Sequence, residues 1–276
     1  MRRAVQTTAL AAVLGACAAA QAADATDVLN QNVWLRIDAF RPSITSTAQV
    51  DHPGTGAPGT EIEFERDLGL ADKKTMPTLL LGTRFAGAWR AEFEYFRLNR
   101  DGTQTLGQLL NFDDSTFPVQ ASIATRFDSS VYRASIGYSF VQTPTVELGA
   151  VVGAHVTKFD ISLEGNVSAA GQPIVVQREE QNKTVPLPTV GVYGAWAIAP
   201  GWAATARADI FKLKRGQYDG RLINGQVNLI FRATPNLGIG IGYRYDDYKV
   251  NAEREDFRGH VDYKFRGPQL FLEAGF

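Results

Sequence analysis

The sequence predicts an all-β protein: an antiparallel up-and-down transmembrane β-barrel of about ten strands, with twelve as the alternative count. Three observations predict it. Apolar and polar residues alternate along segment after segment from residue 33 to residue 276, very short turns take turns with long polar connections, and aromatic side chains crowd the short turns on the apolar phase.

Composition bounds what the chain can do. With 28 Lys+Arg against 29 Asp+Glu it has a formal charge of −1, which gives no reason to expect a nucleic-acid partner. Beyond the N-terminal segment no apolar run approaches the ~20 residues a membrane helix needs, so the chain reads as either soluble or a barrel. The 26 Gly and 11% aromatic residues, beside 2 Met and 3 His, favour β structure rich in turns. No linker divides the chain, which reads as one β domain over residues 23–276.

Residues 1–22 read as a secretory signal peptide: Arg2 and Arg3, a short apolar stretch, then the small-residue site Ala20-Gln21-Ala22. Their removal takes the only cysteine, Cys17, and leaves 26 Lys+Arg against 29 Asp+Glu, a charge of −3. Leu14-Gly15-Ala16-Cys17 also matches a lipoprotein cleavage box, an alternative in which Cys17 becomes a lipidated N-terminus.

The strands fall between turn signals. Short turns are expected at Ala86-Gly87-Ala88, Gln142-Thr143-Pro144, Ala199-Pro200-Gly201 and Thr234-Pro235-Asn236. Longer connections are expected at residues 49–74, 99–116 and 165–172, with tighter ones near 214–217 and 254–256. The strands between them run over 33–48, 76–86, 89–99, 117–141, 145–164, 173–198, 201–213, 217–233, 237–252 and 257–276. Several are far longer than the 5–6 residues usual in globular sheets, as expected of strands that project beyond a membrane. At Phe127-Asp128-Ser129-Ser130 the apolar phase slips from odd to even positions, which reads as a bulge. A true turn there, with a short strand at Glu61–Phe64, would raise the count to twelve.

Each strand has an apolar and a polar face. Trp89, Ala91, Phe93 and Tyr95 alternate with Arg90, Glu92 and Glu94; Ile239, Ile241, Tyr243 and Tyr245 alternate with Gly238, Gly240, Gly242, Arg244 and Asp246. The aromatics at the short turns, Phe85, Trp89, Tyr138, Phe140, Trp196, Trp202 and Phe231, fit an interfacial girdle. The last ten residues, GPQLFLEAGF, alternate up to Phe276, as a strand that closes a barrel would.

Signal segment, alternating strands, short-turn girdle and terminal Phe276 together resemble the bacterial outer-membrane β-barrel proteins. That resemblance implies residence in the outer membrane, Phe276 as an assembly signal, and outer-membrane lipid and the barrel assembly machinery as partners. It implies no particular activity.

Candidate chemistry is sparse. The GIGIGYRYD stretch at 238–246 lacks the helix a phosphate loop needs; its glycines make room for larger neighbours, and no cofactor or metal is expected. Catalysis would need a His beside a carboxylate or Ser, and the chain offers His52, His155 and His260. The sequons at Asn166 and Asn182 read as chance in a chain with a bacterial export signal. The remaining constellation is a charged lumen: Arg84, Arg90, Glu92, Glu94, Arg133, Glu147, Arg207, Asp209, Arg244, Asp246, Asp262, Lys264 and Glu273, with Arg36 and Asp38 on the first strand. The expected function is a narrow passive pore for ions or a small solute. The alternatives are a structural or surface-interaction barrel whose charges plug the lumen, and a barrel-type membrane hydrolase.

Overall fold

The computed structural model describes residues 29–51, 58–112, 115–169, 172–215, 218–253 and 258–276. The signal segment at 1–22 with Cys17, and His52, lie outside the described residues.

The strands are, in order, β1 (Val33–Phe40), β2 (Ser43–Val50), β3 (Ile62–Glu63), β4 (Met76–Phe85), β5 (Trp89–Thr105), β6 (Leu110–Phe112), β7 (Ser115–Phe117), β8 (Ser122–Gln142), β9 (Val146–Ala169), β10 (Gln172–Ala199), β11 (Trp202–Arg215), β12 (Tyr218–Arg232), β13 (Leu237–Glu253) and β14 (Arg258–Gly275). One helical turn, α1 (Phe64–Asp67), follows β3. Antiparallel neighbours run β1-β4-β5-β8-β9-β10-β11-β12-β13-β14, and β14 pairs back onto β1, so the barrel closes with ten strands around its girth. β1 and β2 are halves of one wall strand, both paired to β14 and interrupted at Arg41-Pro42, where proline has no amide to give the ladder. β3 adds only a short rung on β2, so the segment at 62–63 forms without raising the count to twelve. Phe276 completes the seam: its carbonyl accepts from the Asn32 and Val33 amides at 2.6 and 2.9 Å, and its amide donates to the Val33 carbonyl at 2.8 Å.

All four expected short turns lie at one rim; at the other, the connection expected at 99–116 begins only after Thr105, and the one expected at 165–172 is mostly strand, since β9 runs to Ala169 and β10 starts at Gln172 and the two stay paired. Outward residues near the short-turn rim are apolar in row after row: Leu35, Leu81, Phe93, Ile136, Val152, Val192, Val227, Ile241 and Leu272 are all exposed. Water would not tolerate so continuous an apolar surface, whereas a closed barrel in lipid requires it. On β8 the band spans nine residues, Tyr132 to Phe140, the length of a transmembrane strand. β8, β9 and β10 then continue for about as many residues again towards the long-loop rim.

Above the band the wall inverts. Its outward positions become polar, and its inward positions become a hydrophobic core that includes Phe40, Ile44, Phe96, Ile123, Phe127, Val131, Leu163, Leu222 and Phe265. The 61–70 segment closes over this core with Ile62, Phe64, Leu68 and Leu70, all buried. This inversion corrects the bulge expected at residues 127–130. On β8 every odd residue from Ile123 to Ser139 faces inward without a slip, and the pairing with β9 is continuous there. What changes at Ser129–Val131 is the surrounding medium, so the apolar residue moves to the other face while the register stays put. The ladder irregularity lies at Ser139/Val141 instead.

Inside the lower half, glycines receive aromatic rings from neighbouring strands: a Cβ on Gly149 would fall 2.2 Å from Tyr193, and one on Gly240 would fall 2.2 Å from Phe271. The expected result of Gly240→Leu is therefore overpacking that costs about 1–3 kcal/mol, read as a lower thermal midpoint of the detergent-solubilised barrel. An unchanged midpoint would contradict this packing.

The β10–β11 ladder is short. It joins residues 190–199 to 202–210 and stops, although β10 runs on through Pro188 and Pro186 and stays paired to β9 alone. A proline within a ladder must turn its donorless nitrogen away from the bonded partner, so both prolines direct theirs towards the side that β11 has left.

Candidate functional site: the barrel interior

The interior site is built by the lumen-facing positions of β4, β5, β8, β9, β11 and β13, each of which carries charge within the lipid-embedded half. Arg84 donates two hydrogen bonds to Glu147, at 2.7 and 2.5 Å, and Ser139 donates to the same carboxylate at 2.6 Å. Arg90 bonds Glu92 at 2.6 Å and lies 3.9 Å from Glu147. Glu92 also accepts from Arg207, which bonds Asp209 at 2.7 and 3.0 Å. Arg133 lies 3.6 Å from Asp209 and 2.7 Å from Glu94; Glu94 accepts from Arg244, which bonds Asp246 at 2.7 Å. Asn224 donates to Asp246 and ends the chain of contacts.

Five guanidinium groups and five carboxylates thus alternate across the lumen with balanced charge. Two further buried pairs flank them, Arg36–Asp38 at 3.2 Å and Arg232–Glu273 at 2.5 Å. Every cation in these pairs is arginine, whose planar fork engages two carboxylates at once where lysine would offer a point charge. Glu94, Arg133, Arg244 and Asp246 are each 1% exposed or less, which takes them out of bulk water.

Aromatic rings bind this layer to its surroundings. The Arg90 guanidinium lies over Trp34 and Tyr193, at 4.9 and 4.4 Å from the ring centres. Arg244 lies over Phe96 at 4.8 Å and Phe40 at 5.6 Å, the floor of the apolar core. A cavity of about 90 Å³ at the short-turn end, between Trp34, Arg84, Tyr193 and Arg232, has room for a handful of waters. Above the charges, Phe127 packs on Phe64 (5.1 Å), Tyr263 (5.6 Å) and Phe159 (6.0 Å). The covering segment is tied down by Glu65, which accepts from Arg100 and from the Ser46 amide and hydroxyl, both at 3.0 Å. In the same segment partial burial pushes the Asp67 carboxyl up, but hydrogen bonds from the Arg66 guanidinium and the Glu63 amide outweigh it and hold the group below its ordinary value.

Two residues expected in the lumen are not there. Asp262 and Lys264 occupy even positions of β14, the phase of Leu270 and Leu272, and face outward. They stand above the lipid band, where the outer face is wet and charge belongs outside. Lys264 is opposite Asp247 and 3.9 Å from it. Arg84, Arg90, Glu92, Glu94, Arg133, Glu147, Arg207, Asp209, Arg244, Asp246 and Glu273 all point inward. Phe85, Trp89, Tyr138, Phe140, Trp196 and Trp202 are exposed and Phe231 half-buried on the outer face; Trp89 packs edge-on against Tyr138 and Trp202 against Phe231. A second aromatic level lies above the girdle, with Tyr95 against Tyr132 at 4.9 Å and Tyr243 and Tyr245 across the barrel; period places these rings on the outer face, but no turn marks their height. His155 is fully buried beside Tyr248, and His260 lies 3.6 Å from Glu61.

Comparison with known proteins gives the fold its context. The outer membrane protease OmpT from Escherichia coli superposes with a TM-score of 0.56 at 11% identity, covering 89% of this chain and 97% of that one. The toluene transporter TodX of P. putida (0.37, 10% identity, 92% of each chain) and Neisserial surface protein A (0.31, 13% identity, 88% of this chain and 97% of that one) resemble it more distantly. No family model and no curated protein matches the sequence. The fold is that of the bacterial outer-membrane β-barrels.

Proposed function

We propose that this barrel is a closed-lumen protein of the outer membrane, a structural or surface-interaction barrel whose projecting upper half is its working part. The single observation that carries the reading is the double seal: a charge-balanced guanidinium–carboxylate layer at lipid depth beneath an apolar core. The narrow pore that the sequence favours needs hydrated charges and a continuous path. Burial and mutual pairing of the same groups favour the alternative.

Outer-membrane lipid and the barrel assembly machinery remain the partners this reading implies, with Phe276, at the closing seam, as the assembly signal. A transported solute has no part in it. One protein of the same fold is a protease; here His155 is enclosed within the wall, out of reach of an external substrate. Planar-bilayer recording of the refolded protein tests the proposal. The expected trace is that of the bare bilayer, and a stable unitary conductance would overturn it.

A further inference from the structure

The outer face of the wall carries a feature that the closed lumen does not use. Between β11 and β14, just above the apolar band, the register aligns Lys212, Arg221 and Lys249 side by side on three consecutive strands, followed by Asp262. The row below aligns Ile210, Ile223, Asp247 and Lys264, and Arg266 stands below Lys264 on β14; Lys214 continues the outward face of β11 above. Six cations, Arg266, Lys264, Lys249, Arg221, Lys212 and Lys214, thus share this face with three carboxylates, Asp219, Asp247 and Asp262; Lys249 donates to Asp262 and Arg221 to Asp247, and the face keeps an excess of three positive charges. Cross-strand like charges repel unless a counter-charge joins them.

We propose that this face binds the phosphate headgroup of an anionic lipid in the outer leaflet, whose acyl chains lie on the apolar band beneath. The geometry is that of a lipid and not of a free anion, because Ile210, Ile223, Ile241 and Tyr243, all exposed, continue directly below the cations. Asp247 holds the site in shape: it accepts from Arg221 at 2.9 Å and from the Tyr245 hydroxyl at 3.1 Å, with Lys264 at 3.9 Å. It is 5% exposed although it faces outward, so the cations fold over it and present their remaining donors to the lipid. The opposite sector differs. At the same height β5, β8 and β9 carry Arg97, Arg126 and Lys158 against Asp101, Asp128 and Asp160, a balanced set with Arg97 paired to Asp128 at 3.1 Å.

Native mass spectrometry of the folded, detergent-extracted protein titrated with phosphatidate or phosphatidylcholine of the same acyl chains tests this. Phosphatidate should be retained at about tenfold lower concentration than phosphatidylcholine, and K212Q/R221Q/K249Q should remove that preference. The control R97Q/R126Q/K158Q should keep it. Equal retention in both triple variants, no headgroup preference in the wild type, or displacement by millimolar inorganic phosphate would each overturn the proposal. If the first triple variant fails to show the heat-modifiable mobility of a folded barrel, Arg221→Gln alone decides by the same titration.

Discussion

Glu94→Gln should lower the stability of the folded barrel by about 3–5 kcal/mol, since it removes the one carboxylate that joins two buried guanidinium groups and leaves the layer with an uncompensated buried positive charge. Glu94 is the hinge of the interior network: its carboxylate lies 2.7 Å from Arg133 and also accepts from Arg244, and among the described residues Arg133 has only Asp209, at 3.6 Å, as a further ion pair. The measurement is thermal or denaturant unfolding in detergent, followed by heat-modifiable mobility. Two comparisons make it diagnostic. Arg97→Gln breaks an exposed pair and should change stability by no more than about 1 kcal/mol. Glu94→Gln combined with Arg133→Met should recover part of the loss, because the uncompensated positive charge goes with its partner. A small effect of Glu94→Gln would mean that water solvates these groups, and the closed-lumen reading would fall with it.

Phe127→Ala should cost about 3–5 kcal/mol, the loss expected when a large side chain leaves a cavity in a packed core. Phe127 touches rings from three other segments, Phe64, Phe159 and Tyr263, and lies under the Arg100 guanidinium at 5.1 Å. The same unfolding measurement checks it. If Phe127 faced lipid or water, as a bulge at residues 127–130 would allow, truncation would be nearly neutral; a loss below about 1 kcal/mol would count against the interior core.

These two residues also mark the limits of what the sequence discloses. Glu94 sits in an alternating strand between Phe93 and Tyr95, so its inward direction is legible from period alone. Its partners are not: Arg244 is 150 residues away, and only the closure of the barrel brings β13 across from β5. The four short turns and all ten wall strands are readable for the same local reason, since proline, glycine and strand period act over a few residues. Phe127 fails the local test because polarity alone cannot tell which medium lies on which side. Asp262 and Lys264 fail in the same way, because in the upper half of the wall the wet side is outside. The covering segment at 61–70 was legible only as a short strand in a long connection. Its Ile62, Phe64, Leu68 and Leu70 show no strand period, and their burial depends on a cavity formed by other strands.

The short β10–β11 ladder bears on how this protein coexists with its neighbours in a crowded membrane. Where β11 departs, β10 offers an open sheet edge, the kind of surface that templates association with another chain. At Pro186 and Pro188, two successive donor slots on that edge are empty, so an incoming strand meets carbonyls without the alternating amides it needs to zip up. A strand approaching that edge would therefore find no amide to bond at either proline, which makes the exposed side of β10 a poor template for pairing with another chain.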